Sequence, residues 1–161
     1  MTKSIFRIFM ILALGLAVAQ TTLSAQETRR LQGTWDVSVT VQDCQTGAPI
    51  RNVRSLQGFF RDGSFTETAN TSLRGTSVGA WNHTGGHSYS ARYWFFRYKP
   101  DGTFASIAQA IDMITLSPDG TQFVASGTIQ DFDANNVSLS IGCFTHAAKR
   151  LTAPHFDDQT H

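Results

Sequence analysis

Several polar side chains lie within stretches of strand character rather than in the turns between them. Ionisable and amide groups can hold the polar atoms of a small molecule when they converge on an apolar pocket, and aromatic side chains can form the walls of that pocket. The alternative is that they face solvent, as most charged residues do. The candidate ligand-binding residues are Arg54, Glu67, Trp81, Arg92, Tyr93, Trp94, Gln109 and Asp112.

The orientation of Asp112 decides whether a carboxyl group enters the pocket. It alternates in phase with Ala110 and Ile114, which predicts an inward side chain, and an inward carboxylate would need a partner such as Arg92 or Arg54. The other face of the same stretch is equally apolar. Both orientations of Asp112 are therefore open from the sequence.

We find no arrangement of residues that predicts a catalytic or metal site. His83 and His87 bracket a short Gly-rich turn, but no third ligand is near them in the sequence, and a structural zinc normally takes four. No Gly-x-Ser-x-Gly motif occurs. A pair of carboxyl groups, Glu67 with Asp112, is the remaining acid–base candidate. We predict no metal, no cofactor and no catalytic residue, which favours a binding protein over an enzyme.

The N-terminus has the pattern of a secretory signal peptide. Lys3 and Arg7 precede an apolar run over 8–19 that is too short to span a bilayer, and small residues follow it. We predict cleavage after Ala25, with Ala19 and an uncleaved anchor as alternatives. Cleavage after Ala25 leaves a net charge of −1. A nearly neutral chain has no long-range field that would attract nucleic acid or an anionic membrane surface. Because cleavage removes the apolar run, we predict no stable membrane insertion after cleavage and a periplasmic or extracellular protein.

The rest of the chain predicts eight strands separated by turn residues. The first shows strict alternation, with Trp35, Val37 and Val39 on one face. Asp-Gly pairs mark three of the turns. The predicted strands cover 34–41, 50–60, 65–71, 78–83, 89–98, 103–116, 121–132 and 137–144, within a single all-β domain over 26–151 that is followed by a polar tail over 152–161.

Eight strands in sequence order fit an open meander, a sandwich or a closed barrel, and closure is the arrangement that removes exposed edges. Cys44 follows the first predicted strand, and Cys143 lies in the last. Those two strands are neighbours in a closed barrel, so we predict a disulfide between the two cysteines in an oxidising compartment.

Two short motifs resemble those of the calycin superfamily of lipocalin-like barrels. Gly33-Thr34-Trp35 opens the first strand, and Arg150 follows the last. The chain is also similar to exported bacterial barrel proteins that share the run over 33–37, an Asp-Cys at Cys44 and a Gly-Cys at Cys143. The resemblance implies an eight-stranded antiparallel up-and-down barrel in which Arg150 packs over Trp35, and it implies non-covalent binding of a small, mostly apolar molecule.

Two other functions are open from the sequence. One is an isomerase or cyclase in the barrel mouth that uses Glu67, Arg92 or Asp112 on a hydrophobic substrate. The other is a barrel filled with side chains that acts as an interaction module through its outer surface. The sequence decides neither the identity of the ligand nor the oligomeric state.

Overall fold

A computed structural model of the protein describes residues 30–152, which form one closed antiparallel barrel with no helix. Each strand pairs with the next in sequence, and the first pairs with the last. The predicted all-β, eight-stranded up-and-down barrel is therefore confirmed. The strands are β1 Gly33–Gln42, β2 Pro49–Phe59, β3 Ser64–Ala69, β4 Ser77–Gly85, β5 Ser88–Tyr98, β6 Phe104–Leu116, β7 Gln122–Phe132 and β8 Ser138–Arg150.

The predicted signal peptide and nearly all of the polar tail lie outside the described residues. In the part of the chain that the structure describes, no helix is long and apolar enough to cross a membrane.

Turn chemistry explains why the strands end where they do. The β6–β7 turn ends at Gly120, whose φ of 72° lies in the left-handed region that glycine adopts without strain. Asp119 of this turn accepts hydrogen bonds from the backbone N–H and hydroxyl of Thr121 at 3.1 and 2.7 Å. Such bonds stabilise a tight turn locally. Adjacent strands can then pair without a long connection.

β1 and β8 close the barrel over a long ladder. Their register runs from Trp35 opposite Arg150 to Gln42 opposite Cys143. Cys44 and Cys143 form a disulfide, with Cα atoms 5.1 Å apart, which confirms the predicted pairing. β8 extends to Arg150, beyond the predicted end at 144, because backbone pairing with both neighbours continues through residues whose side chains are partly polar.

One end of the barrel is sealed around Trp35. Its indole Nε1 donates to the carbonyl oxygen of Leu31 at 3.0 Å, and the guanidinium carbon of Arg150 lies 4.2 Å from the ring centroid. Arg150 also donates to the carbonyl oxygens of Gly120 and Gln32, at 2.7 and 2.5 Å. Buried aromatic rings from six strands pack in the interior at this end: Trp35, Phe59, Phe65, Trp81, Tyr89 and Phe123.

Candidate functional site

The candidate site lies inside the barrel, near the end opposite the aromatic cluster. A cavity of about 190 Å³ lies there, bordered by Val39 of β1, Val53 of β2, Phe95 of β5 and Ile129 of β7. Trp35, Val37 and Val39 are successive inward positions along β1, with Val39 farthest from the sealed end. Alternation along β1 thus separates the cavity from the sealed end of the barrel.

Three arginines, Arg51, Arg74 and Arg97, also line the cavity, whereas no acidic side chain among the described residues does. Arg74 lies in the β3–β4 connection. This connection is held against β5 by the hydrogen bond from the Gly75 amide to the Phe96 carbonyl oxygen and by an isolated bridge between Arg74 and Arg97. Backbone pairing therefore fixes the connection that carries Arg74 beside the cavity.

The Arg74 side chain is largely buried and is held by polar groups deeper in the barrel. Its Nη2 donates to the Glu67 carboxylate at 2.5 Å and to the Ser77 hydroxyl at 2.6 Å, and Ser77 donates to the same carboxylate at 2.8 Å. The guanidinium carbon lies 3.6 Å from the centroid of the Phe95 ring. Glu67, which is 1% exposed, is thereby a compensated buried charge.

Arg97 approaches the same aromatic ring. Its guanidinium carbon lies 5.1 Å from the Phe95 centroid, and its Nε donates to the Asp131 carboxylate at 2.6 Å. Ser106 donates to the same carboxylate oxygen at 3.1 Å. The cavity therefore combines an aromatic wall with two cations whose partners, Glu67 and Asp131, are not themselves part of the lining.

A second polar group lies inside the barrel at Asp112, which the structure places on the inner face and fully buried. The Tyr93 hydroxyl donates to Asp112 Oδ1 at 3.3 Å, and Asp112 Oδ2 lies 3.4 Å from Nδ1 of the buried His146. The ring of His146 stacks on that of Phe144, with centroids 4.7 Å apart. Asp112 is thus hydrogen-bonded to a phenol, whereas its Oδ2 and the imidazole Nδ1 lie close together without a hydrogen bond among the described residues.

Burial disfavours the charged forms of Asp112 and His146. Desolvation raises the pKa of the Asp112 carboxyl well above its usual value, and the nearby Glu67 charge raises it further. Desolvation also lowers the pKa of His146 to about 4. Burial likewise raises the pKa of Tyr93. This group of three side chains is suited to holding or moving a proton.

Other buried polar atoms in the barrel have no hydrogen-bond partner among the described residues. They are Arg74 Nε, the Ser55 hydroxyl and both amide atoms of Gln57. Ser55 and Gln57 face inward on β2 between Val53 at the cavity and Phe59 at the aromatic cluster. Buried polar groups normally have partners, including ordered water. The middle of the barrel is therefore polar, between an apolar cavity and an aromatic end.

The structure divides the candidate residues into two sets. Glu67, Trp81, Tyr93 and Asp112 point inward, and Trp81 belongs to the aromatic cluster, where its Nε1 donates to the Phe60 carbonyl oxygen at 3.0 Å. Arg54, Arg92, Trp94 and Gln109 lie on the outer face, away from the cavity.

Strand alternation explains the outward set. Inward Tyr93 and Phe95 place Arg92 and Trp94 on the other side of β5. Arg54 pairs with Asp36 on the outer surface at 2.5 Å. The expected ion pair between Asp112 and Arg92 or Arg54 is therefore not formed, because both arginines lie on the opposite face of the sheet.

Sequence reasoning missed Arg74, Arg97 and His146. The alternation of Phe144 and Ala148 with His146 along β8 is a signal that would have placed the imidazole inside. Arg74 lies in a connection without alternation, so its inward position carried no comparable signal. His83 contacts the Gly86 carbonyl oxygen through Nε2 at 2.8 Å, and no cluster of three possible metal ligands occurs in residues 30–152.

Comparisons with protein-family models, curated proteins and solved structures found no match. The closed eight-stranded antiparallel topology is consistent with a calycin-like fold. Because no relative suggests a function, the side chains inside the barrel are the basis for one.

Proposed function

We propose that this protein is an exported, lipocalin-like barrel that binds a small, mostly apolar molecule non-covalently. The observation that carries the proposal is the cavity of about 190 Å³ between Val39, Val53, Phe95 and Ile129. It is smaller than the range of about 300–1,000 Å³ typical of sites for drug-sized ligands. A compact ligand is therefore the better fit.

Two features of the chain support a carrier. Its only two cysteines are joined in a disulfide, so no thiol is available for covalent attachment. Disulfides persist in oxidising compartments, and the Cys44–Cys143 bond therefore supports export. Export also agrees with the signal-peptide pattern ahead of the barrel.

The test is native mass spectrometry of the protein secreted by its own host, followed by denaturing extraction and identification of any released molecule. We expect a stoichiometric adduct that is lost on denaturation. Val53→Trp should fill the cavity and abolish the adduct. Val124→Trp is the matched control, because Val124 is exposed and lies outside this cavity. This variant should retain the adduct.

The proposal fails if the wild-type protein carries no adduct and shows no thermal shift with lipids or aromatic metabolites. That result would favour a barrel that acts through its outer surface. An adduct retained in full by Val53→Trp would place the ligand elsewhere on the protein.

A second candidate function is proton transfer within the barrel. The specific observation is the buried contact of Asp112 with Tyr93 and His146, since a neutral carboxyl and a neutral imidazole can exchange a proton with a hydrophobic substrate. The test is conversion of cyclohex-3-enone to its conjugated isomer, followed by ultraviolet absorption. An isomerase should lose turnover in Asp112→Asn, whereas a carrier should show none in either protein.

A further inference from the structure

The lining of the cavity carries cationic side chains and, among the described residues, no acidic one. Arg51 is exposed to solvent, whereas Arg74 and Arg97 are largely buried and are paired with Glu67 and Asp131, which lie outside the lining. An apolar cavity bordered by guanidinium groups favours a ligand that brings a negative charge with it.

Arg74 also has an unused donor. Its Nη2 serves Glu67 and Ser77, while the buried Nε has no hydrogen-bond partner among the described residues. A buried N–H of a charged group that has no acceptor destabilises the folded protein by the full cost of its desolvation. The guanidinium is already fixed against the Phe95 ring, so little side-chain entropy would be lost when an acceptor arrives.

From these observations the geometry points to an apolar carboxylate as the ligand of the cavity. This inference rests on the proposed function and names its ligand class. The carboxylate is bound by the guanidinium groups of Arg74 and Arg97, and the hydrocarbon part packs against Phe95, Val39 and Val53. A planar carboxylate matches the fork of guanidinium donors, and the apolar walls exclude the water that would weaken the pairing.

Glu67 competes with the ligand for Arg74. The Glu67 carboxylate takes Nη2 and leaves Nε, so a ligand carboxylate shares the cation with an internal anion. Replacing Glu67 by Gln keeps the size and a hydrogen-bond acceptor while removing the negative charge. This substitution should tighten the binding of an anionic ligand, an effect that a purely structural ion pair would not produce.

The experiment is isothermal titration of the full protein with octanoate, octanol and octylamine, which share one chain and differ in the charge of the head group. We expect octanoate to bind at least about tenfold more tightly than octanol, as is typical for a hydrogen bond to a charged group. Octylamine should bind more weakly than octanol, because its ammonium would meet the arginines.

Variants then assign the effect to the arginines. Glu67→Gln should strengthen octanoate binding and leave octanol unchanged. The double variant Glu67→Gln with Arg74→Gln should bind octanoate about tenfold more weakly than Glu67→Gln alone, and its paired amides avoid a lone buried charge. Arg97→Gln should weaken octanoate about tenfold and gives an independent test should the double variant not fold. Arg54→Gln removes a surface ion pair and is the matched control.

The outcomes separate the two levels of the proposal. No binding of any of the three ligands contradicts the proposed function for compact apolar chains. Equal binding of octanoate and octanol leaves the carrier function intact and overturns the carboxylate inference, as does tighter binding of octyl phosphate than of octanoate. Octanoate binding that is insensitive to Glu67→Gln and Arg97→Gln would also overturn it.

Discussion

Replacing Asp112 by Asn should change the pH dependence of folding in a specific way. Asp112 is fully buried, and its Oδ1 accepts a hydrogen bond from the Tyr93 hydroxyl while its Oδ2 lies 3.4 Å from Nδ1 of His146. Asn has nearly the same shape. Its oxygen can still accept from Tyr93, and its amide can donate to Nδ1 of His146, so the substitution removes a titrating group while keeping the packing.

The expected magnitude follows from two opposite proton balances. Asp112 has its folded pKa raised above 3.8, so as pH rises the unfolded chain loses this proton first, and stability falls by about 1.4 kcal/mol per pH unit until the folded pKa is reached. His146 has its pKa lowered from 6.5 to about 4, so the unfolded chain gains this proton first as pH falls. Stability therefore decreases by about 3 kcal/mol from pH 6.5 to pH 4.

In the wild-type protein these two slopes have opposite signs, so the proton on Asp112 reduces the rise in stability that His146 produces between about pH 4 and pH 6.5. Asp112→Asn keeps only the His146 slope, because the pKa of His146 is lowered by burial and by Arg74, which the variant retains. The free energy of unfolding of the variant should therefore rise by about 3 kcal/mol from pH 4 to pH 6.5, and that of the wild type should rise less.

The assay is urea unfolding of both proteins in half-unit steps from pH 4 to pH 8, with the difference in unfolding free energy plotted against pH. Asp36→Asn, on the outer face, is the control and should leave the wild-type slope over this window unchanged. A difference between variant and wild type that stays constant from pH 4 to pH 6.5 would refute the raised pKa of Asp112, and a variant whose own unfolding free energy stays constant over this window would refute the lowered pKa of His146.

Three further predictions concern the barrel itself. Replacing Cys44 and Cys143 by Ser should lower the free energy of unfolding by up to about 4.7 kcal/mol, measured in urea, because the disulfide closes a loop of 99 residues; reductant should then affect the wild type alone. Arg150→Gln should lower the free energy of unfolding by about 2 kcal/mol, because the cation–π contact with Trp35 and the charged hydrogen bonds are lost. An unchanged melting curve would contradict a stabilising role of Arg150. Gly127→Ala should destabilise by about 1–3 kcal/mol because a Cβ there would overlap the β6 backbone and an aromatic ring, whereas Gly142→Ala, with open space around it, should be neutral in the same thermal assay.

Much of the fold follows from local sequence signals. Asp62-Gly63, Asp101-Gly102 and Asp119-Gly120 mark three turns whose glycines all have positive φ in the structure. The alternation of Trp35, Val37 and Val39 gives the inward face of β1 directly, since the intervening residues are polar. The cysteine pair adds a long-range constraint that no local propensity supplies, and it leads to closure between β1 and β8.

The inward face of β6 could not be derived in the same way, because both of its faces are apolar. Ala108 and Ala110 point inward, whereas the larger Ile107 and Ile111 are partly buried on the outer face. Hydrophobicity alone does not distinguish the two faces. A narrow barrel instead takes small side chains where its walls approach, so interior volume decides the orientation. Asp112 follows its alanine neighbours inward for that reason.

The residues around the cavity were the hardest to predict, because their positions depend on pairing between distant segments. Arg74 comes from a connection, and it reaches Glu67 and Phe95 only because that connection pairs with the end of β5. Arg97 also lies near an irregularity in the β5–β6 register. Charged residues at such places usually face solvent, so composition gives no reason to place two of them against one aromatic ring.

The two ends of the barrel are stabilised by different means, and the difference follows from the cavity. Packed aromatic rings and the Arg150 contact with Trp35 hold the sealed end. The cavity end lacks that packing, and the disulfide joins β8 to the chain just beyond β1 there, since Cys143 lies opposite Gln42. An empty apolar space forfeits contacts that a filled core would make. A covalent link at the same end offsets that loss without occupying the space, so the barrel can keep its cavity and still remain closed.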